Sequence, residues 1–200
     1  MTLHQEYFDR MYATSADPWS LDSRWYEQRK YAITMAGLSR PRYRYAFEPG
    51  CSVGVLSAQL ATRCDSLLAA DVAPAAVAAT RARLADAPGA AVEVMNIPAQ
   101  WPVGSFDLIV LSEVGYYLSP DDLDALVARA VGSLDRDAEL CLVHWCHPVA
   151  DYPMLGDEVH DRFLAEPGLR SLAHYDDPDF RLDLLTWADA PTPAQREGLV

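Results

Sequence analysis

The stretch Glu48-Pro49-Gly50-Cys51-Ser52-Val53-Gly54 carries the densest chemistry in the chain, and it admits two readings. As Glu48-x-Gly50-x-x-x-Gly54 it is a nucleotide-type loop with an acidic residue closing the preceding strand. Glycines without a Cβ let such a loop turn sharply and let a bound molecule approach the main chain. As Gly50-x-Ser52-x-Gly54 it matches the elbow that presents a nucleophilic serine between strand and helix. Asp107 or Asp121, with His144 or His174, would then complete the machinery around Ser52. The nucleotide reading needs an acidic residue about 20 positions on, at the end of the next strand, to bind ribose hydroxyls. Ser66-Leu67-Leu68-Ala69-Ala70-Asp71 supplies it, and Asp71 also suits the cap of the helix that follows.

The elements that must position these groups favour the nucleotide reading. Arg44 to Phe47 reads as a short buried strand, Glu48-Pro49-Gly50 breaks it, and apolar residues take helical spacing from Val53. The helix N-terminus behind the turn favours polar or anionic groups. A serine elbow of the α/β hydrolase kind follows several strands, whereas the upstream chain reads as two helices, His4–Tyr12 and about Asp22–Leu38, around Asp17-Pro18-Trp19. Trp25 or Tyr26, Ile33 and Gly37 lie near the inward face of the second.

Beyond the loop the alternation is regular. Helices are expected over Val53–Arg63, Pro74–Asp86, Ser119 to about Leu134, and Met154–Glu166. Strands are expected over Ser66–Asp71, Ala91–Met95, Ser105–Leu111, Glu139–Trp145, Ser171–Tyr175 and Phe180–Trp187. Ser119-Pro120-Asp121-Asp122 is a strong helix start, with a capping serine, a first-turn proline and acidic residues at the positive end. Ser105–Leu111 is the most apolar strand and should lie centrally, buried on both faces. The pattern is α/β: an open parallel sheet whose last two strands, joined by a short polar turn, form an antiparallel hairpin.

At this point the chain resembles a class I S-adenosylmethionine-dependent methyltransferase. EPGCSVGVL, the strand ending in Asp71, and FDLIVLSEVGYYL from Phe106 look like successive motifs of that superfamily. Asp17-Pro18-Trp19 and SRWYEQRK from Ser23 to Lys30 resemble more narrowly the NodS family, rhizobial N-methyltransferases of chitooligosaccharide nodulation factors, over roughly residues 5 to 187. The resemblance implies a Rossmann-like class I methyltransferase fold with a mainly parallel seven-stranded sheet and helices on both faces. It also implies S-adenosyl-L-methionine as cofactor and methyl transfer to a nitrogen or oxygen of a small molecule, such as an amino sugar or oligosaccharide.

It further implies roles. The N-terminal helices would close over the cofactor, with Trp19, Tyr26 and Arg29 near its methionine end and Arg29 forking to the carboxylate. Glu48, Gly50 and Gly54 would form the loop, Asp71 would hold the ribose, Asn96 would accept from the adenine amino group and Ile97 would pack on the ring. Glu113, in the loop after the central strand, would hold a substrate amine or accept a proton, and Tyr116 and Tyr117 would line a slot for the methyl sulfonium. His147, just past the fifth strand, is a second candidate base, and His144 lies beside it. The substrate would meet the N-terminal helices, the loop after Leu111 and the segment Pro148–His160. A cofactor-binding protein without catalysis would share the loop and Asp71.

Composition bounds these readings. Two hundred residues, half of them hydrophobic, suffice for one domain: a helical lid over residues 1–40, a sheet core over 41–187 and a loose tail over 188–200. No apolar run is long enough to cross a membrane, and no N-terminal basic-then-apolar pattern marks a signal peptide, so a cytoplasmic setting is expected. The balance of 16 basic against 29 acidic residues, net −13, disfavours nucleic acid or an anionic membrane as partner and suits a neutral or cationic small molecule. Cys51, Cys64, Cys141 and Cys146 form no paired motif, so reduced thiols are expected. His144, Cys146 and His147 lack a second ligand cluster, so no metal is expected.

Overall fold

In a computed structural model that describes residues 1–200, seven strands alternate with seven helices. The strands are Tyr43–Pro49 (β1), Cys64–Asp71 (β2), Ala90–Val94 (β3), Phe106–Ser112 (β4), Leu134–Trp145 (β5), Leu169–Asp176 (β6) and Phe180–Trp187 (β7). The helices are Gln5–Thr14 (α1), Trp25–Gly37 (α2), Val55–Ala61 (α3), Pro74–Arg83 (α4), Pro120–Gly132 (α5), Gly156–Leu164 (α6) and Pro193–Arg196 (α7). The sheet order is β3-β2-β1-β4-β5-β7-β6, with β7 antiparallel to both neighbours and the other pairs parallel. This is the class I methyltransferase arrangement expected above. Its order reverses between β1 and β4, the switch point at whose carboxyl edge ligands bind in open α/β sheets.

Alternation along β4 builds both cores. Ile109 and Leu111 pack with Phe47 of β1 and with Leu126 of α5 and Phe163 of α6. Leu108 and Val110, one residue out of phase, pack on the other face with Leu56 and Leu60 of α3 and Tyr31 of α2. α4 extends that second layer through Val77 against Ala69 and Val92. α5 begins as its sequence dictates: the Ser119 side chain accepts from the Asp122 N–H, and Pro120 occupies the first turn.

Three expectations change. The fifth strand starts at Leu134 rather than Glu139, because Leu134 already pairs with Phe106 before the register shifts at Leu108. α2 turns Glu27, Lys30, Tyr31 and Thr34 inward, while Trp25 is 73% exposed. The tail, expected loose, carries the capped helix α7 and delivers Arg196 to a buried knot.

That knot centres on Glu139 of β5, which is 0% exposed. Its carboxylate accepts from the Tyr43 hydroxyl at 2.5 Å and the Ser39 N–H at 3.2 Å. The guanidinium groups of Arg40 and Arg196 approach it at 3.5 and 3.4 Å. One carboxylate thus ties the exit of α2, the start of β1 and the C-terminal segment to β5. Glu139→Ala leaves two partly buried cations uncompensated and should cost about 3–5 kcal/mol in urea unfolding. A loss below about 1 kcal/mol, the scale of a surface pair, would show that these segments are held by other contacts.

Candidate active site

The site is built at the carboxyl edge of β1 and β4. Past β1, Gly50 and Gly54 (both φ 78°) and Ser52 (φ 49°) turn the chain back on itself. The Gly50 and Cys51 N–H groups donate to the Ala70 carbonyl at 2.7 and 2.9 Å, which locks the loop to β2. The two glycines serve different ends. A Cβ on Gly50 would lie 2.1 Å from Val114 Cγ2, so this residue lets the β1 loop approach the loop after β4. A Cβ on Gly54 would lie 2.8 Å from Thr80 Oγ1, so Gly54 sets the packing of α3 on α4.

A cavity of about 510 Å³ opens between these loops and the N-terminal helices, a volume typical of small-molecule and cofactor sites. Of the residues singled out from sequence, Trp19, Tyr26, Glu48, Gly50, Asp71, Asn96, Ile97, Glu113 and Tyr116 line it together. Asp71, at the end of β2, accepts from the Ser52 and Ala73 N–H groups, both at 2.9 Å. Burial raises its pKa, and these backbone bonds oppose the shift. The Asn96 main-chain N–H donates to Gln100, which orders the loop after β3 opposite Asp71. Glu48 is buried, its Oε2 has no hydrogen-bond partner, and desolvation pushes its pKa up to about 8. It is therefore mostly protonated at neutral pH.

Glu113 follows β4 in a left-handed conformation, φ 59°, and both its oxygens are engaged. Oε1 accepts from the Lys30 ammonium at 2.5 Å; Oε2 accepts from the Trp145 N–H at 3.0 Å and from the Tyr116 hydroxyl. Lys30 is 2% exposed. Burial lowers its pKa, but the carboxylates of Glu113 and Glu27 outweigh that and raise it, so it stays an ammonium. Tyr116 stacks on Tyr152 with ring centroids 4.8 Å apart, and Tyr26 meets Trp145 edge-on at 5.5 Å. The result is an aromatic wall around a charged centre.

Behind this wall runs a buried polar chain. The Gly115 N–H donates to His144 Nε2 at 3.2 Å, His144 Nδ1 meets His160 Nε2 at 3.0 Å, and His160 Nδ1 meets Asp183 Oδ2 at 2.6 Å. Since His144 Nε2 accepts, its proton lies on Nδ1, and the same logic puts the His160 proton on Nδ1 facing Asp183. Burial lowers the pKa of both histidines, so the chain is neutral up to its carboxylate. Burial alone would raise Asp183, but hydrogen bonds from His160 and His174 hold it at about 2.

Three predicted residues lie elsewhere. Arg29 turns outward on α2, about 100° around the helix from Lys30, where it bonds the Tyr175 hydroxyl at 2.8 Å and Asp177 at 2.7 Å. His147 is half-exposed and pairs with Asp179 at 2.8 Å, outside the cavity wall. Gly54 stays behind the loop. The serine elbow is not assembled: Ser52 Oγ lies 2.7 Å from the Tyr12 hydroxyl, and no histidine lines the cavity. Asp107 accepts instead from the Arg44 and Tyr45 N–H groups. Sequence reasoning assigned the N-terminal helices and Pro148–His160 to the site but did not single out Arg24, Glu27, Lys30, Tyr12 or Tyr152 within them as lining residues. The available signal was Glu27-x-x-Lys30-Tyr31, an ion pair at helical spacing on the same face as an aromatic ring.

Comparison with known proteins agrees with this geometry. A family model described as nodulation protein S (NodS) matches residues 4–144. Nodulation protein S of Sinorhizobium fredii is 36% identical over 103 residues, 51% of this chain and 48% of the relative. That of Rhizobium tropici is 36% identical over 132 residues, 60% and 50% respectively. The chain spans about half the length of these curated relatives. A crystal structure of a Pseudomonas syringae protein described as a methyltransferase is 44% identical, with a TM-score of 0.73 over 82% of this chain and 99% of that one. The N-methyltransferase NodS of Bradyrhizobium japonicum WM9, crystallised with S-adenosyl-L-homocysteine, shares the fold with a TM-score of 0.84 at 21% identity, covering 92% of this chain and 98% of that one. With its glycine loop, Asp71 and helical lid around one cavity and the family model spanning most of its length, this chain belongs to the nodulation protein S family.

Proposed function

We propose that the chain is an S-adenosylmethionine-dependent methyltransferase that methylates a nitrogen of a small acceptor, an amino sugar or oligosaccharide. The observation that carries the reading is that one cavity at the β1–β4 switch point is lined by Gly50, Asp71 and the Glu113 cluster together. The residues present fit the cofactor. Asp71 retains lone pairs for ribose hydroxyls beyond its two backbone bonds. Asn96 and Ile97 flank the position for a base, and Glu48 offers an unpartnered buried carboxyl. Arg24, on the cavity wall at the N-terminus of α2, is better placed than Arg29 for the amino-acid carboxylate.

Bound there, the cofactor supplies an activated methyl group on a sulfonium. The protein then contributes position and exclusion of water, a source worth up to about 7–11 kcal/mol when geometry is good. Trp19, Tyr26, Trp145 and Tyr152 wall off the reacting end, and tyrosine faces suit a cation. Glu113, held by Lys30, Tyr116 and the Trp145 N–H, fixes the shape of that end rather than serving as a free base. The reading includes a cytoplasmic setting, supported by four free cysteines, and a neutral or cationic acceptor, supported by the net charge of −13.

Calorimetry with S-adenosylhomocysteine tests the reading. Wild type should bind at micromolar affinity, and Asp71→Ala should bind at least about tenfold more weakly, the scale of lost hydrogen bonds to a charged group. A wild-type protein that does not bind it would overturn the reading. Proton release gives a second test. Glu48 is protonated at pH 7 because its pKa lies at about 8, and a ligand ammonium beside it favours the carboxylate, so binding should release close to one proton. Repeating the titration in buffers of different ionisation enthalpy should show that release in wild type and none in Glu48→Gln. Equal release from both would remove Glu48 from the binding site.

A further inference from the structure

The charged centre of the cavity is unbalanced. Lys30 is the one ammonium between two carboxylates, 2.5 Å from Glu113 and 3.0 Å from Glu27, so a single positive charge faces two negative ones. Glu113 is saturated by Lys30, Tyr116 and the Trp145 N–H. Glu27 is not. It is 7% exposed and lines the cavity; its Oε2 lies 3.0 Å from the Lys30 ammonium and the Tyr31 hydroxyl faces the carboxylate, yet that oxygen completes no aligned hydrogen bond. The hydroxyl of Tyr26, one residue earlier on α2 and on the same wall, is also buried without a partner. Such atoms cost free energy unless something donates to them.

The other charged groups on the wall do not serve. Arg24 is exposed at the start of α2, Asp71 holds the β1 loop, Glu48 is mostly protonated at neutral pH, and Asp179 stands opposite His147. The buried centre therefore carries one negative charge in excess, at the end of the cavity walled by Trp145, Tyr116 and Tyr152.

On the methyltransferase reading, we propose that Glu27, with the Tyr26 hydroxyl, is the residue that receives the acceptor's amino group. An ammonium entering here donates to Glu27 Oε2 and to the Tyr26 oxygen and balances the charge that Lys30 leaves uncompensated. The neighbouring aromatic faces suit the rest of a sugar ring. Lys30 is then a positioning residue: it holds Glu113 and leaves Glu27 for the acceptor. The arrangement favours a primary amine over its N-acetylated form, which carries no positive charge and only one N–H.

The probes are glucosamine and N-acetylglucosamine, titrated into the complex of the protein with S-adenosylhomocysteine and followed by ligand-detected NMR. Wild type should bind glucosamine in preference to the acetylated sugar. Glu27→Gln should weaken glucosamine roughly tenfold or more, as loss of a charge-assisted bond does, while S-adenosylhomocysteine affinity stays within about twofold, which also certifies the fold. Glu27→Asp, which keeps the charge, should recover part of the loss, and Tyr26→Phe should show a smaller one. Three results would overturn the proposal: glucosamine binding unchanged in Glu27→Gln, a wild-type complex that takes up no glucosamine at millimolar concentration, or a loss in Glu27→Gln confined to S-adenosylhomocysteine, which would assign the carboxylate to the cofactor. Failure of the cofactor reading shows separately, as a wild-type protein that does not bind S-adenosylhomocysteine.

Discussion

A lysine ammonium removed from water must find its charge again inside the protein, and at Lys30 that requirement organises the site. Transfer of one such ion into a poor dielectric costs several kcal/mol after relaxation, so α2 can close over the sheet only with Glu113 beneath it. The pair joins residues 83 positions apart, one on the N-terminal lid and one in the loop after β4. It also explains why α2 buries charge where an amphipathic helix would bury leucine: the face that meets the sheet edge meets a cavity. Tyr26 and Tyr31 flank the ammonium with ring centroids at 5.1 and 5.9 Å, which adds cation–π attraction to the ion pair.

The geometry of Glu113 in turn rests on the backbone around it. Its N–H continues the parallel ladder by donating to the Val143 carbonyl at 2.8 Å, after which the chain turns into the left-handed region. A non-glycine residue held there is strained, and such strain persists where surrounding contacts over-determine it. Those contacts are present on each side: Val114 is wedged against Gly50, and the Gly115 N–H is anchored on His144. The β1 loop and the β4 loop are thereby a matched pair, so the positions of Gly50 and Glu113 are set by the same contacts.

The chain from Gly115 through His144 and His160 to Asp183 forms the floor of this construction. Buried histidines without partners would be costly; here each ring nitrogen has one, and the order of donors runs a single way toward the carboxylate. Asp183 is further held by His174 and by Arg181, which continues to Asp161 on α6. A fully satisfied network of this kind rigidifies what lies above it. It ties the antiparallel β7 and helix α6 to the loop that shapes the site, and so gives the C-terminal hairpin a stake in the geometry at the far edge of the sheet.

The local code determined the order of elements, the glycine loop and the candidates Glu48, Asp71 and Glu113, because these depend on properties that neighbours in the chain settle among themselves: side-chain period, turn chemistry and capping. β7 fell on Phe180–Trp187 as read, since apolar and polar residues alternate from Phe180 to Leu184 and the polar turn before it marks its start. Which face of α2 meets the cavity, which arginine borders it, and whether the tail is held depended on partners far away in sequence. Arg29 and Lys30 are adjacent residues of similar charge; the turn of a helix sends one to Asp177 and the other to Glu113. Ser52 matched a nucleophile pattern that only the neighbourhood could refuse, by setting Tyr12 beside it in place of a histidine. The sequence alone determined that a nucleotide-type pocket would form at the carboxyl end of β1. Tertiary structure alone decided which charges would be buried in it, because burial is a property of the assembled sheet and lid and is written in no single segment.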